Sequence, residues 1–72
     1  MTQPFEDFLV ELAVKGDLTV LGRLPNYLDG HYVAIPDIPA ERNRLIVAFR
    51  DRAPQSELSV QMLDIISQDG LH

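Results

Sequence analysis

The side chains able to do chemistry are few. Two histidines, His31 and His72, are the candidate bases, and Ser56, Ser59 and Ser67 are the candidate nucleophiles. Acyl transfer needs a hydroxyl, an imidazole and an orienting acid within hydrogen-bond reach of one another. The serines all fall in or beside the last predicted element, and none sits in a Gly-x-Ser-x-Gly elbow. His31 follows an Asp-Gly pair and reads as a solvated residue at the start of a strand, while His72 is terminal. No catalytic residue is therefore expected.

Metal and acid–base chemistry are equally thin. Asp29, His31 and Asp37 could approach one ion, but their spacing matches no zinc signature, and the chain lacks cysteine. Acid pairs such as Glu6/Asp7 and Asp64/Asp69 would need two environments that separate their pKa values, usually in a cleft. They read instead as solvated helix faces. The four glycines, at 16, 22, 30 and 70, are isolated, so no loop cradles a phosphate. Neither a metal nor any other cofactor is expected.

Charge is distributed unevenly. Arg42, Arg44, Arg50 and Arg52 are four of the six basic residues. With Glu41 and Asp51 the stretch 41–52 carries +2, whereas the remainder carries -7 of the net -5. Arginine suits bidentate contacts to carboxylates or phosphates. These four form a candidate charged contact; alternatively they pair internally with acids on the outer helices, or flank an apolar run to keep it soluble. On a strand they would share one side. On a helix, positions 42 and 44 stand about 200° apart and the patch disperses.

Apolar residues are in surplus. Leu21, Tyr27, Leu28, Val47, Val60 and Leu63 are hard to bury together with the main stripes, and a cluster of them would mark an interface. Tyr27, Leu28 and Tyr32 beside a predicted hairpin, and Val60 and Leu63 on the last helix, are the candidate partner contacts.

Five elements must position these residues. Phe5, Phe8, Leu9, Leu12 and Ala13 share one helix face, which predicts a helix over residues 2–15, capped by Thr2 and stopped by Gly16. Residues 18–24 alternate as a strand, Asp29-Gly30 signals a hairpin, and 31–35 reads as a second strand. Residues 36–53 stay open between a helix started by Asp37 and Pro39 and a buried strand from Arg44 to Arg50. Pro54 ends whatever precedes it. Leu58, Met62, Ile65 and Ile66 then define a helix over 56–68, capped by Ser56, with Gly70 as its stop and Leu71 folding back. The expected class is α+β, a small antiparallel sheet of two or three strands packed against N- and C-terminal helices, in the order α-β-β-α-α or α-β-β-β-α.

Composition bounds the function. Seventy-two residues make a single small domain, expected to span 1–72, whose core rarely supplies more than about 3–5 kcal/mol unaided. Disulfides are impossible, so self-association or an obligate partner is expected. The acidic balance argues against general nucleic-acid binding. The longest apolar run, Leu45 to Phe49, is too short to cross a membrane. Glu6 and Asp7 occupy the place of a positive leader segment, so no signal peptide is expected, and the expected location is the cytoplasm. The expected function is a non-catalytic, regulatory protein–protein interaction module: an adaptor, docking or inhibitor protein whose partner is another protein or a second copy. The alternatives are an acidic phage-type inhibitor or nucleic-acid mimic filling a basic groove, and a nucleic-acid contact through residues 42–52.

Overall fold

A computed structural model describes residues 3–68. Thr2, Asp69, Gly70, Leu71 and His72, for which the sequence carries expectations, lie outside the described residues. All regular structure among them is helical: α1 (Phe5–Lys15), α2 (Val20–Tyr32), α3 (Ile38–Arg52) and α4 (Glu57–Gln68). No strand forms among the described residues. The expected α+β class, its antiparallel sheet and both proposed element orders are therefore corrected to an all-α fold of four helices.

Each boundary has a local cause. Glu6 and Asp7 complement the positive end of α1 and Lys15 its negative end. Gly16 ends α1 in the left-handed region at φ 72°, its N–H donating to the carbonyls of Leu12 and Ala13. The Asp17 carboxylate then accepts from the Thr19 backbone N–H at 3.0 Å and from its hydroxyl at 2.7 Å, an Asx turn that aims the chain into α2. Pro36 separates α2 from α3, and Asp37 caps α3 by accepting from the Ala40 N–H at 3.1 Å. Ala53 is extended, with ψ 151°, as a residue before proline must be, and Pro54 closes α3. Ser56 Oγ accepts from the Ser59 N–H at 3.2 Å and starts α4.

Helix α2 replaces the expected hairpin. Gly22, Pro25 and Gly30 oppose a helix by roughly 5 kcal/mol in total relative to alanine. Against this, Val20, Leu24, Leu28 and Tyr32 are all buried, which contributes roughly 6–12 kcal/mol at about 1.5–3 kcal/mol per large apolar side chain. Leu21 and Tyr27 pack at the margin of the same stripe. A period of two would have sent Leu21 and Tyr27 to the opposite face; a period of 3.6 keeps all six together. Burial outweighs propensity, and the Asp29-Gly30 pair lies inside a helix without either residue adopting positive φ.

The open choice over residues 36–53 resolves as a helix. Leu45 and Phe49 point inward, Ile46 packs at the core margin and Val47 is exposed. The core unites Leu9 and Ala13 of α1, the α2 stripe, Leu45 and Phe49, and Leu58, Met62 and Ile66. Helix α4 packs against the other three helices, and α1 also lies on α3.

Candidate interaction groove

Helices α3 and α4, packed against each other and joined by the four-residue connection 53–56, leave a furrow between them. Phe49, Arg50 and Ala53 form its α3 wall, Pro54 and Gln55 close one end, and Ser56, Glu57, Ser59, Val60 and Leu63 form its α4 wall. The groove encloses about 450 Å³. Its position follows from the breaker at Pro54 and the cap at Ser56, which end one helix and start the next within four residues. Phe49 is a core residue that also supplies the floor, whereas Val60 is 68% exposed on the rim.

Polar groups in the groove are structural or available for contact. The Ser56 hydroxyl caps α4 and donates to Ser59 Oγ at 3.1 Å, so this pair holds the helix start. Arg50 and Glu57 are exposed on opposite walls. Neither has an ion-pair partner among the described residues. The arrangement offers an apolar floor with one positive and one negative rim.

Three of the candidate contact residues, Arg50, Val60 and Leu63, converge on this groove, together with two of the candidate nucleophiles, Ser56 and Ser59, which are tied up in the helix start. The remaining candidate contacts do not. Leu28 is 0% and Tyr32 6% exposed, so both are core residues and not contacts. Tyr27 is half-buried, with its ring edge-on to Phe8 at 5.2 Å. The hairpin that was expected to present Tyr27, Leu28 and Tyr32 does not exist. Groove residues Phe49, Ala53, Gln55 and Glu57 were not singled out; the available signal was the Pro54–Ser56 connection between two helical stripes.

The arginine stretch is dispersed by its helix. Arg42 is buried at 9% exposure. Arg52 pairs with Asp7 of α1. Arg44 donates to Glu6 at 2.9 Å and to Glu41 at 2.7 and 2.5 Å. Only Arg50 among the four lines the groove. A row of four on one strand side is thereby corrected.

A second polar cluster was missed. His31 Nε2 lies 2.6 Å from Glu41 Oε2, and its ring stacks on Phe5 with centroids 4.2 Å apart. Since an ionised carboxylate only accepts, Nε2 carries the proton. The hydrogen bonds from Arg44, aided by that from His31, hold the Glu41 carboxyl down to about 2. Arg44 also lowers Glu6, through its hydrogen bond first. The cluster ties α1, α2 and α3 together at one end of the bundle; residues ten apart with no local pattern gave no sequence signal. Among the described residues, no group of three or more His, Cys, Asp or Glu converges to hold a metal ion. No described helix is long and apolar enough to cross a membrane.

No protein-family model, curated protein or solved structure matches the chain.

Proposed function

We propose that this chain works by contact, as a small non-catalytic protein–protein interaction module whose docking surface is the α3–α4 groove. The supporting observation is the convergence of exposed Val60, half-buried Leu63 and the charges of Arg50 and Glu57, which have no ion-pair partner among the described residues, around one apolar concavity. Apolar anchors inside a polar rim are the anatomy of a recognition surface. The nucleic-acid alternatives have less support, because Arg44 and Arg52 spend their charge on α1 carboxylates. A cytoplasmic location belongs to the same proposal and is checked by cell fractionation.

Site-specific photocrosslinking in the native host tests it. A benzophenone side chain at position 60 should give a discrete protein adduct, lost on Leu63→Arg. The same probe at Val33, exposed outside the groove, should give none. No adduct from position 60, or equal adducts from both positions, overturns the proposal.

A further inference from the structure

The two charged rims constrain what can fill the groove. Arg50 stands on the α3 wall, in the last turn of that helix, and Glu57 opens the α4 wall. Both therefore lie toward the loop end of the furrow. A two-fold axis running along the furrow would lay the α3 wall of one copy over the α4 wall of another. Arg50 would then face Glu57 of the partner subunit, and Glu57 would face Arg50 of the partner subunit. Opposite charges on opposite walls make the surface complementary to itself, which is the requirement of an isologous interface.

Charge balance over the whole molecule favours the same occupant. The chain carries a net -5, so two copies repel through most of their surfaces. The groove lining holds one cation and one anion and sums to zero. It is a face on which a second copy adds no like-charge penalty. Val60, standing out on the rim at 68% exposure, supplies an apolar projection, and the concavity of about 450 Å³ supplies a place for it. In a two-fold dimer each subunit offers both.

We infer that the groove is the contact of a symmetric homodimer, closed by reciprocal Arg50–Glu57 pairs around interlocking Val60 and Leu63 side chains. This inference rests on the groove being a docking surface and names what docks there. A dimer also answers the small core of a chain of this length, since association stabilises the folded state by mass action.

Light scattering after size exclusion, over about tenfold steps in concentration, measures the association. The wild type should move from 8.1 kDa toward twice that mass. Arg50→Glu and Glu57→Arg should each weaken self-association roughly tenfold or more by setting like charges face to face. Both positions are exposed, and circular dichroism should confirm unchanged helix content. Mixing the two variants should restore dimerisation, because every facing pair in the mixed dimer is again opposite. A wild type that stays monomeric overturns the inference, as does a dimer indifferent to both substitutions or a mixture that fails to associate. Such a failure is separable from failure of the docking proposal: a position-60 adduct to a different protein would sink the homodimer and leave the groove a recognition surface, whereas no adduct would sink both.

Discussion

His31 on α2 and Glu41 on α3 meet at 2.6 Å across the loop that joins their helices, with Arg44 closing on the same carboxylate from one helical turn away. The contact pins the C-terminal end of α2, and Phe5 stacks on the imidazole from α1. Three helices thus share one polar knot at the margin of an otherwise apolar core.

That knot makes stability depend on acid pH. The Glu41 carboxyl is lowered from 4.5 to about 2 in the folded chain. A depressed folded value stabilises the native state above the unfolded value, and the contribution disappears as pH falls from about 4.5 to about 2. Arg44 is half-exposed, so screening limits the effect to about 1–2 kcal/mol. Urea unfolding at pH 7 should show Glu41→Gln less stable by that amount, and the gap should narrow as pH falls below about 4.5 and close only at about pH 2 or below. A gap that persists unchanged at low pH would show that the carboxylate charge is not what stabilises.

Glycine substitutions test the all-helical fold directly. A Cβ added at Gly22 or Gly30 meets nothing within 4 Å, and neither residue has positive φ. Gly22→Ala should therefore stabilise by about 0.5–1 kcal/mol, raising Tm by about 3–6 °C. Gly30→Ala should stabilise in the same direction. A hairpin turning at Asp29-Gly30 would instead lose stability on that substitution, because alanine resists positive φ. Gly16→Ala is the contrast: at φ 72° it should cost about 1 kcal/mol.

The same residues show why part of the fold was legible and part was not. Helices α1 and α4 carry uninterrupted stripes, Phe5-Phe8-Leu9-Leu12 and Leu58-Met62-Ile65-Ile66, and local pattern agrees with tertiary burial. Helix α2 carries an equally regular stripe, but Gly22, Pro25 and Asp29-Gly30 interrupt it with strong local turn chemistry. Those signals act over four residues, whereas the stripe acts over thirteen through burial against the rest of the core. Helix α3 was undecided because Leu45–Phe49 is apolar without a break, so periodicity could not separate helix from strand. The site was legible in its parts: Val60, Leu63 and Arg50 stood out singly. Their meeting depended on α3 being a helix that packs against α4.

Phe49 joins core and groove. At 1% exposure it sits among the largest fully buried side chains, so Phe49→Ala should cost about 3–5 kcal/mol. A domain of this size holds little more than that in reserve. Thermal unfolding should show a transition lowered to near or below ambient temperature. Phe49→Leu, which retains most of the volume, should leave a cooperative transition. A small loss for the alanine variant would mean that the floor of the groove is not part of the core.

Val60 separates the two duties that Phe49 combines. It is an exposed helix position, so in samples too dilute to associate Val60→Asp should change stability by no more than about 0.5 kcal/mol. A carboxylate at the centre of an apolar contact has to be desolvated, so whatever binds in the groove should be weakened roughly tenfold or more. Paired measurements decide it: thermal unfolding at dilution for the fold, and light scattering with crosslinking from position 63 at higher concentration for the contact. Loss of both would make Val60 a structural residue, and loss of neither would remove the α4 wall from the docking surface. Only the split, with an intact fold and a weakened contact, agrees with a rim residue that is exposed in the single chain because its packing partner lies in another one.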